Sequence, residues 1–380
     1  MDIKNISNIH NCYGCGVCAT VCNKNVIKIK LNSRGFYEPY IEDNTKCNGC
    51  GLCLDVCAFS KQKLSNNEHS PIVSFAAWSN EKAIQHKCSS GGVGFEIAHM
   101  LINEGYKVCG VRYNTIEERA EHYIASTTEE LIPTIGSKYI QSYTLDGFKS
   151  IDRKKKYLVI GTPCQIDSFR WYIRKFNVEE NFVLMDFFCH SVPSMLAWKK
   201  YLIETKKLTG EINSVSWRNK NTGWHDSWAM CIKGEKSTLI SRLSKGDVFY
   251  NLFLGDFCCN KACQKNCKYK YDRSSADIRI GDLWGKSYAN NNEGVSALVA
   301  FTPVGVKCID KINCKLIKHP FEVVAEGQMK DNCNEAYLSP IVWKRLKNGK
   351  EYSMSQWKRL ILIEKILQIP NKIIKHINKL

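Results

Sequence analysis

The chain has 380 residues, 44% hydrophobic, 24% charged and 11% aromatic, which fits two or three packed units and excludes a disordered or low-complexity polymer. No apolar run is long enough to span a bilayer, and the opening MDIKNISNIH lacks the apolar core of a secretory signal, so the expected location is the cytoplasm. The net charge of +17 comes without a zinc-finger, helix-turn-helix or RNA-binding signature, which argues against nucleic acid as partner; the twenty cysteines of a cytoplasmic chain point to metal rather than disulfides.

Residues 1–65 carry two cysteine runs with the same gaps of two, two and three residues: Cys12, Cys15, Cys18, Cys22 and Cys47, Cys50, Cys53, Cys57. Thiolate is a soft anionic ligand suited to iron in sulfide clusters. Two-residue gaps let a loop point three sulfurs at one cube, and the fourth cysteine, past a helix start, points to the other. The spacing therefore predicts two [4Fe-4S] clusters in a ferredoxin-type module, one on Cys12, Cys15, Cys18 and Cys57, the other on Cys47, Cys50, Cys53 and Cys22. Asn23 and Ala58 stand where such runs usually have proline. Between the runs, VIKIKLNSRGFYEPYI alternates and turns at Asn32–Gly35, which predicts a hairpin.

Next, PIVSFAAWS (71–79) reads as a buried strand. Ser89, Ser90, Gly91 and Gly92 form a small turn, followed by the helical pattern VGFEIAHMLINE, a stop at Gly105 and the strand YKVCGVRY. That turn at a helix start can meet an anion or simply cap the helix. Lys138 in IGSKYIQS could meet a phosphate, although from spacing alone a surface lysine is the plainer reading. A βαβ unit follows, with strand KKYLVI (155–160), turn GTPCQ (161–165), helix IDSFRWYIRKF and strand NFVLMDFFC (181–189), so a parallel sheet is expected. Ligands gather at the carboxyl ends of such strands, which brings Cys164, Cys189 and His190 toward one crevice, with His190 as a candidate proton donor or a hydrogen-bonded loop histidine. GWHDSW (223–228) is polar and aromatic enough for a substrate loop, and Trp284 could stack there or lie in the core. Cys88, Cys109, Cys231, Cys308, Cys314 and Cys333 look isolated and read as packing thiols. In WKRLILIEKILQIPNKIIKHINKL, Ile373, Ile374, Ile377 and Leu380 share one face, Lys372, Lys375 and Lys379 another, and Pro370 breaks the helix. This basic amphipathic tail, residues 335–380, can contact the inner membrane face or pack on its own domain.

The motifs SSGGV, GSKYIQS, GTPCQ, DFFCHSVPS and ADIRIGDLWG, in this order, resemble the beta subunit of the coenzyme F420-reducing hydrogenase and F420-dependent dehydrogenases. That family includes 7-hydroxymethyl chlorophyll a reductase and bacterial proteins with a ferredoxin module in front, often encoded near surface-polysaccharide genes. The resemblance implies an N-terminal-like region at 70–155 and a C-terminal-like region at 156–330. It also implies an α+β and α/β fold with a flavin-binding core, and an oxidoreductase carrying FAD. The family's flavin-binding segments fall on Ser89, Ser90, Gly91, Gly92, Lys138, Thr162, Pro163, Cys164 and Gln165. Ser191 replaces the glycine usual after the Cys-His pair. The run Cys258, Cys259, Cys263, Cys267 resembles a three-cysteine family segment and leaves open a third [4Fe-4S] cluster, a zinc site or packing thiols. A cluster would take Cys258, Cys263 and Cys267, with Cys164 or Cys189 as fourth ligand. The expected partners are a ferredoxin-like redox donor or a reductase, and a small-molecule acceptor such as an F420-like carrier or a sugar precursor. An electron-transfer subunit with no substrate site of its own is the alternative.

Overall fold

In the computed structural model, which describes residues 4–66 and 70–369, the front cysteine runs flank the hairpin β1 (Ile27–Leu31) and β2 (Tyr37–Ile41). Its turn is built by Asn32, whose side-chain oxygen accepts from the Arg34 and Phe36 amides. Ile27 and Ile29 face inward while Lys28 and Lys30 are exposed. The inward face packs with Val17, Ala19 and Val56, and also with Phe148, Phe169 and Tyr172 of the following region, so the front module shares its core with the rest of the chain.

The frame of the molecule is a nine-stranded mixed sheet. Four neighbouring strands run parallel in the order β12 (Ile278–Asp282), β8 (Phe182–Phe187), β7 (Tyr157–Ile160) and β4 (Lys107–Asn114). Leu158 and Val183 pack under the helix Val93–Asn103, while Val159 and Leu184 face the helix Pro163–Lys175. Period-two alternation thus fills both faces, as parallel strands require. The expected βαβ unit and the helix after the Ser-Ser-Gly-Gly turn are both present.

Beyond the parallel centre the sheet turns antiparallel. β13 (Ser296–Ala300), β3 (Val73–Ser79) and β14 (Cys314–Lys318) extend one side, and β5 (Arg119–Ala125) with the short β6 (Ser142–Tyr143) the other. A separate three-stranded sheet, β9 (Ile212–Ser216), β10 (Ala229–Gly234) and β11 (Thr238–Arg242), lies beside the helix Met195–Thr209. Asp186 of β8 and Arg279 of β12 are register partners and form a fully buried fork, with both N–O distances 2.7 Å.

The C-terminal helix Met354–Leu367 buries Trp357, Leu360 and Ile361 in the same core as Trp198, Trp217 and Trp343. Its Glu364 accepts from the Tyr337 and Leu338 amides at the start of the helix Ser339–Lys347. Leu362, Ile363, Ile366 and Leu367 face outward. The basic amphipathic pattern expected from Lys372 to Leu380, and Pro370, lies outside the described residues. Among the described residues no helix is long and apolar enough to cross a membrane.

Candidate functional site

The front module brings Cys12, Cys15, Cys18 and Cys57 around one small pocket, floored by Ile6, Ile9 and Phe59. Cys57 thus crosses from the second run to the first, as the spacing predicts. Gly14 makes the approach feasible: it sits at φ +67°, and a Cβ there would lie 2.2 Å from the Tyr37 carbonyl oxygen. Cys47, Cys50 and Cys53 lie together, with Asn5 Nδ2 3.5 Å from Cys47 Sγ. Cys50 is exposed, and Cys22 is half-buried. Burial first, then neighbouring thiols, pushes Cys12 and Cys18 up and Cys15 to about 11; burial likewise pushes Cys53 to about 11. Crowded, desolvated sulfurs at this spacing suit a cluster whose cations make the thiolate form favourable.

A further thiol set lies behind the first. Cys164, Cys189, Cys263 and Cys267 are mutual electrostatic neighbours, drawn from the start of the helix Pro163–Lys175, the end of β8, and the segment around the helix Lys261–Lys265. Cys258, expected among the ligands, is not there. Its thiol lies in the large core beside Phe36 and Phe257, with Asp256 and Arg34 as its charged neighbours. The reason is local geometry. Cys259 pairs with Pro193 in a β-bridge and Ser194 N donates to Cys258 O, so consecutive side chains point opposite ways. Cys333, read as isolated, sits against Cys259.

The two thiol sets are physically joined. Tyr13 packs edge-on against Phe59 and Tyr269, with ring centroids 5.1 and 5.7 Å away, and neighbours Cys164, Cys263 and Cys267. Asn260 Nδ2 donates to Cys12 O at 3.1 Å. Ser168 Oγ lies 3.2 Å from both Cys15 Sγ and the Ala58 amide. One helix therefore presents Cys164 to one set and Ser168 to the other.

The main cavity, about 480 Å³, opens beyond Cys189 at the carboxyl end of the parallel strands. Ser89, Ser90, Gly92, Lys138, Thr162, Gln165, Cys189, His190, Asp282 and Trp284 all line it, so all five sequence motifs meet there. Gly91 lies behind the wall, where a Cβ would come 2.3 Å from Ala77 O. Pro163 and Cys164 also lie outside the lining, on the side of the thiol set. Ser89 Oγ accepts from the Ser137 amide at 2.9 Å, tying two motifs together.

Several of these side chains are already engaged. Lys138 Nζ donates to the carbonyls of Pro133, Thr134 and Ile135 at 2.9–3.1 Å, so its charge closes a loop instead of waiting for a phosphate. Burial lowers its pKa to about 7. Gln165 accepts from the Thr162 amide at 2.8 Å in a capping box. His190 Nε2 is 2.7 Å from Asp256 Oδ1, and the Cys189 and His190 carbonyls accept from Lys270 Nζ. The Arg218 guanidinium lies over the Trp228 and Trp284 rings and donates to Asp282 at 2.8 Å and Tyr139 at 3.1 Å. Trp284 stacks flat on the buried Trp224, 4.8 Å between centroids, so of GWHDSW only Trp228 reaches the cavity. Arg218, Tyr139, Asp256 and Lys270 carry no spacing signal in the sequence.

Residues 154–319 match the family model for the C terminus of the coenzyme F420 hydrogenase/dehydrogenase beta subunit, and residues 11–61 match the 4Fe-4S dicluster domain. The chain belongs to the coenzyme F420 hydrogenase/dehydrogenase beta-subunit family. It is an iron–sulfur protein of that family. Among solved structures, a chain of the xenon-derivatised F420-reducing [NiFe] hydrogenase complex from Methanosarcina barkeri is similar at 16% identity and a TM-score of 0.48, over 73% of this chain and 88% of that one. No curated protein matches the chain. The beta-subunit match contains the whole Cys164–Cys189–Cys263–Cys267 set and β7, β8, β12 and β13, whereas the Ser89–Gly92 turn and Lys138 precede it.

Proposed function

We propose that this beta-subunit family member is an iron–sulfur flavoprotein oxidoreductase that takes single electrons at its front cysteines and delivers them to an organic acceptor in the main cavity. The observation that carries this reading is the place of Cys189, which belongs to the inner four-cysteine set and also forms the cavity wall. Bound at these places, [4Fe-4S] clusters carry electrons singly, and FAD collects them in pairs for transfer to the acceptor.

The chain's own residues supply the path and the shape. Exposed Cys50 marks Cys22, Cys47, Cys50 and Cys53 as the entrance, where a ferredoxin-like donor or a reductase docks. Tyr13 and the helix Pro163–Lys175 bridge the Cys12, Cys15, Cys18 and Cys57 set to Cys164, Cys189, Cys263 and Cys267, which hold a third cluster. In the cavity, the Ser89–Gly92 and Gly161–Thr162 turns offer backbone N–H groups at two helix starts to a cofactor's phosphates. Ile160, Met185 and Ile280 give an apolar wall for a flat ring and exclude water. The space near Trp228, Arg218 and Trp284 takes the acceptor, an F420-like carrier or a sugar precursor.

Anaerobic purification followed by iron, sulfide and flavin analysis tests the reading. Wild type should hold one FAD and about twelve irons, four per cluster. Cys164→Ser and Cys263→Ser should each lose about four of those irons, while Cys258→Ala keeps them all. A protein with its full iron that binds no flavin when supplied with FAD would refute the proposal.

A further inference from the structure

His190, Asp256 and Cys259 lie beside the cavity and share no residue with the cysteine sets assigned to clusters. Asp256 Oδ1 lies 2.7 Å from His190 Nε2 and 3.6 Å from Cys259 Sγ, and the three candidate ligand atoms all fall within 4.8 Å of one another. We propose that His190, Asp256 and Cys259 bind a divalent cation of the zinc type at the rim of the cavity, with a fourth position open toward it.

The geometry suits such an ion. With bonds of about 2.0–2.2 Å to N or O and about 2.3 Å to S, tetrahedral ligand atoms sit about 3.3–3.6 Å apart. The trio reaches that spacing through side-chain adjustment alone. Asp256 holds φ +60°, a left-handed conformation that aspartate tolerates better than most residues but that still costs energy. The same backbone sets its carboxylate between the imidazole and the thiol. Cys259 is buried, and its sulfur lies 3.0 Å from Ser191 Oγ, with Cys333 against it on the other side. Ser191 and Cys333 are thus the groups that orient the ligating sulfur, as outer partners of metal ligands do. His190 lines the cavity, so an open coordination position faces the space assigned to the acceptor. A borderline N, O and S donor set prefers zinc to magnesium or calcium. With Nε2 on the ion, His190 serves as a ligand, and the proton-donor role expected from the sequence lapses.

The test uses the full-length protein, purified anaerobically and equilibrated with zinc. Metal analysis should find about one zinc per chain, and zinc-edge X-ray absorption one sulfur at about 2.3 Å with the remaining scatterers N or O at about 2.0–2.2 Å. Asp256→Asn, nearly isosteric, and Cys259→Ser should weaken zinc retention against a chelator about tenfold or more while iron content stays at the wild-type value. Cys263→Ser should leave the zinc in place. Three results would each overturn the proposal: no zinc retained, zinc coordinated by sulfur alone and lost with Cys263→Ser, or zinc unaffected by Asp256→Asn and Cys259→Ser. In the first case a shifted pH profile of electron transfer in His190→Gln would return His190 to the proton-donor role.

Discussion

Ser168 offers the most direct test of the electron path. It is fully buried on the helix Pro163–Lys175, with its oxygen 3.2 Å from the Ala58 amide and 3.2 Å from Cys15 Sγ. Ala58 N–H already donates to that oxygen, so when Cys15 is a cluster thiolate the hydroxyl proton is free to point at the sulfur. A hydrogen bond to a charged acceptor contributes about 1.5–3 kcal/mol. Reduction adds one negative charge to the cluster, so the bond is stronger in the reduced state. If about a third of that energy depends on redox state, the difference is about 0.5–1 kcal/mol, or roughly 20–45 mV at about 59 mV per tenfold change. Ser168→Ala should therefore lower the potential of one cluster by that amount and leave the others in place. The assay is an anaerobic redox titration followed by electron paramagnetic resonance. Potentials all within about 10 mV of wild type, or a shift upward, would refute the reasoning, because hydrogen bonds to cluster sulfur raise potentials. The variant also leaves the Ala58 amide without a partner, which should cost about 1–3 kcal/mol and lower the melting temperature independently.

Gly14→Ala should prevent assembly of the first front cluster, since both the positive φ and the 2.2 Å approach to Tyr37 O reject a Cβ; iron analysis should show a loss of about four irons. Asp186→Leu or Arg279→Met alone leaves one buried charge of the sheet-centre fork unpaired and should cost about 3–5 kcal/mol, while the double variant should recover most of it in thermal or urea unfolding. Burial holds the His122 imidazole down to about 4, so between that value and the unfolded value of about 6.5 the unfolded chain binds more protons and stability falls as pH falls. Moving from about pH 7 to about pH 5.5 should therefore lose about 1.4 kcal/mol in urea titrations, a loss that His122→Gln should largely remove.

What could be read from the sequence was what depends on near neighbours. The front cysteine gaps, the Asn32 turn, the helix Val93–Asn103 ending before Gly105 and the βαβ unit through GTPCQ are all set by contacts a few residues apart, and each appears in the fold. The antiparallel flanks were not legible, because Ala76 pairs with Ala297 and Ile317, partners more than two hundred positions away that no local period reveals. The sheet β9–β11 was missed for another reason: β9 buries only Ile212 fully and its remaining residues are exposed or intermediate, so it shows no clear apolar alternation.

The cofactor residues show the same division at finer scale. Motifs marked where backbone turns approach the cavity, because a turn is local; they did not mark which side chains remain free. Lys138 looked available, but the three carbonyls that hold its ammonium come from the 3-10 turn just before it, a conformation set by packing. The Cys258–Cys259 pair is the sharper case. Two adjacent cysteines in an extended segment must face opposite ways, so one joins the core and the other the cavity side. Which is which is a question of parity, decided by the pairing of Cys259 with Pro193 in a loop after β8. The spacing to Cys263 and Cys267 carries no information about that register. The fourth sulfur comes instead from whichever cysteines end the parallel strands beside them, and those are Cys164 and Cys189. A motif that names chemistry by residue type is therefore reliable within one loop and loses its force once the site is assembled across the sheet.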